Sequence, residues 1–214
     1  MGKILVGVIA PLGDSGKPSA IRKMPTDRTL RVTHTGFDAD SQADLKNHGG
    51  REKAVHHYPF DHYRGWREEI GNSPELNHPG GFGENLSTTG LTELDVAVGD
   101  VFRLGTATLQ VSQGRQPCWK LNARFEVDDM AARVQMSGRT GWYYRVLEEG
   151  EVSPDAMLER IDRPTPEWTV HRVWRAFYVD RHDRDALAAL AALATLSEGW
   201  RQLAARRAEP APFN

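Results

Sequence analysis

A chain of 214 residues, 39% hydrophobic and 26% charged, has the balance of a soluble globular protein. Its net charge of −2 supplies no electrostatic footprint for nucleic acid or for an acidic membrane surface. A single cysteine, Cys118, excludes an intrachain disulfide and an iron–sulfur cluster held by this chain alone, and so cysteine-poor a composition fits a reducing compartment.

Residues 1–10 are apolar too briefly to cross a membrane, and no small-residue cleavage site follows them. The expected localisation is cytoplasmic. Residues 3–10, 30–33, 100–104, 106–112, 142–147 and 156–161 read as strands, and many short strands between Gly and Pro breaks point to a closed or nearly closed β-structure. Pro59 opens a helix that carries Tyr63, Trp66 and Ile70 on one face and ends at Gly71. A second helix is predicted over 127–135, ended near Gly138. After Pro164 and Pro166 the apolar period changes from two to 3.6, with Val170, Val173, Trp174 and Phe177 in step. Helices are predicted over 170–179, 186–196 and 198–207, the last capped by Ser197. The predicted architecture is mainly β: a barrel with a few peripheral helices over residues 1–163, then a small three-helix unit over 164–214.

Several familiar strings fail on their context. Gly13-Asp14-Ser15-Gly16 copies a serine-protease nucleophile but has no room upstream for that triad's His and Asp. Gly16-Lys17 resembles a P-loop, yet Pro18 stands where Ser or Thr would ligate magnesium. Asp38-Ala39-Asp40 opens like a calcium loop that lacks its turn glycine and its bidentate glutamate. Six histidines crowd residues 34–78, but none forms a helical His-x-x-x-His pair, so a zinc hydrolase is disfavoured.

Three segments carry chemistry. Cys118 sits where the strand over 107–112 gives way to a helix beginning near Leu121, beside Pro117. A thiol there, with Arg115 and Lys120 nearby, is expected to be partly thiolate, a nucleophile or a soft-metal ligand. The stretch from Gly80 to Gly90 is rich in glycine, then in hydroxyls, and Ser137-Gly138-Arg139-Thr140-Gly141 is similar in kind. Exposed amides and hydroxyls of this sort cradle anionic oxygens. With Lys17 and Arg115 they suit a phosphorylated ligand. One soft thiol, anion-binding loops and no cluster of protein ligands together imply a metal whose other ligands come from a cofactor.

On these residues the chain resembles the MOSC family, in particular its YiiM-like branch. The resemblance runs through Asp40-Ser41-Gln42-Ala43-Asp44, His48-Gly49-Gly50-Arg51-Glu52-Lys53, Gly83-Glu84-Asn85-Leu86-Ser87-Thr88, Val98-Gly99-Asp100-Val101-Phe102, Gln113-Gly114-Arg115-Gln116-Pro117-Cys118, Gly138-Arg139-Thr140-Gly141-Trp142 and the C-terminal helices. Asn47 departs from the pattern, which often has a second histidine there. The resemblance implies a MOSC β-barrel with a three-helix extension, and a molybdenum cofactor (a molybdopterin) whose metal is bound by Cys118. It implies reduction of N-hydroxylated compounds from N–OH to N–H, with electrons from a separate flavin or iron–sulfur reductase. Lys17, Asn85, Ser87, Thr88, Arg115, Gln116 and Arg139 are the expected cofactor contacts, and His56 and His57 the expected catalytic partners of Cys118. A sulfur or cofactor carrier using the same cysteine, or a zinc or thiol enzyme with a histidine base, is the competing reading. The sequence leaves the physiological substrate and the oligomeric state open, a homodimer included.

Overall fold

β-branched and aromatic residues are frequent in the longer strands, where β-propensity on a half-buried pleated surface explains their placement. The structure is a computed structural model describing residues 2–43 and 49–209; Asp44, Asn47 and His48, which enter the resemblance, lie outside the described residues. The strands are β1 (Lys3–Gly7), β2 (Ala10–Leu12), β3 (Lys17–Ser19), β4 (Lys23–Pro25), β5 (Leu30–Thr33), β6 (Gly36–Phe37), β7 (Val55–His57), β8 (Leu86–Ser87), β9 (Val101–Leu104), β10 (Ala107–Gly114), β11 (Trp142–Glu148), β12 (Gly150–Val152) and β13 (Leu158–Asp162). Eight of them curl into one half-barrel sheet in the order β13-β9-β10-β11-β7-β8-β1-β4, antiparallel except for the β7–β8 pair. In β10, Ala107, Leu109 and Val111 point into the core while Thr108 and Gln110 are half-exposed. The mainly-β barrel expectation therefore holds.

The helices are α1 (Asp61–Ile70), α2 (Lys120–Phe125), α3 (Met130–Ser137), α4 (Val170–Tyr178), α5 (Arg184–Ala192) and α6 (Glu198–Ala208). Gly71 ends α1 with φ +79° and Gly138 ends α3 with φ +73°, conformations that glycine adopts without strain. The helix predicted from 127 starts only at Met130. α5 stops at Ala192, because Leu193 turns to an extended conformation. Thr169 and Asp183 cap α4 and α5 through their side chains. Ser197 occupies the N-cap position of α6 but makes no side-chain cap bond. Its amide instead donates to the Ser112 carbonyl at 2.8 Å and ties α6 to β10.

The three C-terminal helices share the barrel's core. Val173, Phe177, Leu187, Leu190 and Trp200 belong to the same apolar cluster as Phe102, Leu109, Val111, Trp142 and Tyr144. At the handover between them, the fully buried Asp100 carboxylate accepts Nε and Nη2 of Arg163, at 2.8 and 2.7 Å, and the Ala97 amide at 2.9 Å. A second cluster joins Tyr58, Tyr63, Trp66 and Phe82 to Leu121, Phe125, Met130 and Val134, and so fastens α1, α2 and α3 beneath the turn that carries Cys118. Among the described residues no helix is long and apolar enough to cross a membrane.

Candidate functional site

The strand-to-helix turn forms where the sequence places it. β10 ends at Gly114, the Arg115 amide donates to the Gly141 carbonyl at 3.0 Å, and Leu121 returns a backbone bond to the Cys118 carbonyl at 3.0 Å. Registration between β10 and β11 shifts between Val111 and Gln113, a bulge that re-aims the residues leading to Arg115. Ser112 pins it, its hydroxyl meeting the Glu52 carbonyl at 2.6 Å and the Tyr143 carbonyl at 3.1 Å.

Cys118 opens onto a pocket walled on four sides. The segment from Ser19 to Lys23 forms one wall and Ser41–Ala43 another. His56 of β7 and Tyr143 of β11 form the floor, and Phe82, Gly83 and Asn85 close the far side. Lys23, Arg115 and Lys120 bring three cations to this lining, and among the described residues none of the lining is a carboxylate. Behind Lys23 lies Asp40, nearly as buried, which pairs with its ammonium. Burial draws the Lys23 ammonium below the ordinary lysine range against the pull of Asp40. Arg115 is 6% exposed, reaches the Phe82 carbonyl with Nη2 at 3.5 Å, and leaves Nη1 buried without a partner among the described residues. The Tyr143 phenol is pushed up by burial, although Arg115 beside it works the other way. Its ring lies against His56, centroids 5.0 Å apart. An unpaired guanidinium nitrogen, two further cations and a thiol make a donor set for an anionic ligand bearing a soft metal.

Of the expected site residues the pocket gathers Cys118, Arg115, His56 and Asn85. Asn85 lines it with an amide already in use: Nδ2 donates to the Leu5 carbonyl and to Asp40, and Oδ1 accepts the His56 amide. His56 donates from Nδ1 to the Gly83 carbonyl at 3.2 Å; desolvation, and then the Arg115 charge, hold the ring well below the usual histidine range. With the hydrogen on Nδ1, the ring offers an acceptor at Nε2.

The remaining expected contacts lie elsewhere, each with a reason. His57 follows His56 in a strand and so faces the opposite side, bonded to Tyr144 at 3.0 Å and to Thr88 at 2.9 Å; burial depresses it to about 3. Thr88 is spent on that bond, and Ser87 on the Tyr58 carbonyl at 3.1 Å. Arg139 lies flat on Trp66, 3.7 Å from its ring centroid, and pairs with Glu69. Gln116 turns away to the Tyr178 hydroxyl at 3.2 Å. Lys17 is exposed on β3, 5.0 Å from the Trp119 ring centroid.

Both expected anion cradles are closed from within. The amides of Gly80 and Phe82 donate to Glu84 and that of Gly81 to the Tyr63 hydroxyl, while the Gly141 amide donates to Glu93. Lys23, Tyr143, Ser19 and Ser41, none of them among the site residues expected from the sequence, line the pocket. Among the described residues, no three His, Cys, Asp or Glu side chains group to hold a metal ion.

Two family models match this chain: MOSC domain over residues 44–159, and YiiM-like, 3-alpha helix domain over residues 168–209. Protein YiiM of Escherichia coli (strain K12) is 43% identical over 192 residues, 90% of this chain and 85% of that protein. A Gibberella moniliformis protein named as a reductase is 40% identical over 158 residues, which are 73% of this chain and 28% of that protein. The crystal structure of YiiM from Geobacillus stearothermophilus aligns with a TM-score of 0.82 and 31% identity, covering 97% of each chain.

Proposed function

The chain belongs to the MOSC family, and from that premise we propose that it holds a molybdenum cofactor through Cys118 and reduces N-hydroxylated compounds. The observation that carries the reading is the pocket itself: one thiol, three cations and a buried guanidinium nitrogen, with neither a partner for that nitrogen nor a lining carboxylate among the described residues. The likeness to a fungal protein named as a reductase supports the class of reaction.

When bound, the cofactor supplies two-electron chemistry that turns N–OH into N–H and water, consuming two electrons and two protons. The Cys118 sulfur is the soft protein ligand. Arg115 and Lys120 would neutralise the phosphate and hold it by charge-assisted hydrogen bonds, and Lys23, paired with Asp40, would add a further donor. Ile21 and Phe82 make an apolar wall that keeps water off the reacting centre. Neutral His56 accepts a hydrogen bond there, and the Tyr143 phenol keeps its proton and donates one. Cys118 is the only cysteine, so no iron–sulfur cluster can be held by cysteines of this chain, and a separate flavin or iron–sulfur reductase delivers the electrons.

Arg115 gives the direct test. Its planar fork suits a phosphate or a pterin carbonyl in a way that lysine cannot reproduce. Losing one charge-assisted buried contact costs about 1.5–3 kcal/mol, which is roughly ten- to a hundredfold in affinity. Arg115→Ala is expected to lower molybdenum and pterin occupancy together, while the melting temperature of the cofactor-free protein stays close to wild type. Unchanged occupancy with a lower melting temperature would make Arg115 structural and misplace the cofactor.

A further inference from the structure

The loop from Gly80 to Glu84 directs its polar groups two ways. Inward, the buried Glu84 carboxylate accepts the Gly80 amide at 2.8 Å, the Phe82 amide at 3.1 Å and the Tyr63 hydroxyl. Outward, the Gly83 carbonyl accepts His56 Nδ1 and the Phe82 carbonyl accepts Arg115 Nη2. We propose that Glu84 is a positioning residue of the pocket: by gathering this loop from beneath, it aims the two carbonyls that set the His56 tautomer and the Arg115 fork. The inference deepens the binding-pocket reading above and rests on it.

The hydrogen positions follow from which groups can only accept. A carbonyl has no proton, so the His56–Gly83 contact requires the hydrogen on Nδ1. His56 Nε2 is then a bare lone pair, and it has no partner among the described residues. A ligand group that meets His56 at that nitrogen must bring the hydrogen itself. The Tyr63 hydroxyl accepts the Gly81 amide at 3.0 Å, so its own proton goes to Glu84. With donors on both oxygens the carboxyl needs no proton of its own and the anion fits these bonds, although burial outweighs them and raises the carboxyl above its ordinary range.

The loop cannot yield to larger side chains. A Cβ at Gly80 would fall 2.2 Å from the Lys23 carbonyl oxygen, and one at Gly81 would fall 2.3 Å from that of Glu75. Gly80 (φ +108°) and Gly83 (φ +76°) also take conformations reserved for glycine. The carbonyl directions are therefore set by the carboxylate anchor and by close backbone packing together.

Glu84→Gln tests this, because an amide cannot accept on both sides and places a donor against one of the loop's N–H groups. Nitrogen-15 NMR of the imidazoles in the cofactor-free protein reads the outcome. The wild type is expected to show His56 with Nδ1 protonated and Nε2 bare. In Glu84→Gln that signature is expected to give way to a mixture of tautomers, with His57 unchanged as the internal control. Glu84→Asp, which keeps the anion, is expected to restore most of the Nδ1–H form. A folded Glu84→Gln protein with the His56 signature intact overturns the proposal, and so does a disturbance that reaches His57 equally. Should Glu84→Gln fail to fold, Tyr63→Phe removes one donor to the same carboxylate; an unaltered His56 in that variant also overturns it. Molybdenum content plays no part in these measurements, so the proposal and the cofactor assignment fail separately.

Discussion

Cys118→Ser is expected to abolish turnover of N-hydroxylated substrates and to leave the fold intact. The cysteine contributes to the architecture through its backbone, as the carbonyl that accepts the Leu121 amide, and serine preserves that bond. The side chain is half-buried at the pocket rather than packed in either apolar cluster, so the exchange opens no core cavity. What is lost is the soft donor, which a hydroxyl does not replace for a thiophilic metal. Losing an essential group of a catalytic unit lowers turnover on the order of 10³-fold or more. Steady-state assay with an artificial reductant, alongside thermal melts of both proteins, reads the two parts separately. Wild-type turnover in a folded Cys118→Ser protein sinks the reductase assignment.

The second large effect concerns acid stability. His57 is fully buried between Tyr144, Thr88 and the Trp142 ring, and burial holds it at about 3 where an exposed histidine titrates near 6.5. The unfolded chain therefore binds a proton that the native chain refuses between those two values. Stability from this group is fully present above pH 6.5 and falls as the pH drops toward 3. The full difference corresponds to about 4–5 kcal/mol, at about 1.4 kcal/mol for each tenfold change. His57→Gln keeps polar contacts to its neighbours and cannot titrate. Its unfolding free energy is expected to fall less steeply than the wild type's over that range, by denaturant titration at a series of pH values. Parallel curves for the two proteins would show that His57 titrates alike in the folded and unfolded chain and is not depressed by burial.

The elements with a clean period were legible in the sequence. Tyr63, Trp66 and Ile70 announced α1, with Gly71 as its end, and the alternation over 107–112 followed by Pro117 put Cys118 on the correct turn. The site was legible only along the chain, not across it. Lys23 and Asp40 are 17 residues apart, and they meet because β4 pairs with β1 while the Gly7 amide of β1 binds Asp40. No local pattern encodes that meeting. The glycine-rich strings failed for a different reason. Counting free amides says nothing of acceptors, and the acceptor Glu84 was part of the same string. The pairing of His56 with His57 as joint catalysts ignored a rule that the sequence itself supplied. Adjacent residues in a strand face opposite ways, so one reached the pocket and the other the core.

The central claim is that Cys118 and its cationic pocket hold a molybdenum cofactor. The most direct test is metal and pterin analysis of the full chain purified from a host that makes the cofactor. Molybdenum and oxidised-pterin fluorescence are expected together, approaching one of each per chain, and both lost in Cys118→Ser. Wild-type protein carrying zinc, a labile persulfide or no metal, with no pterin released on denaturation, would contradict the claim.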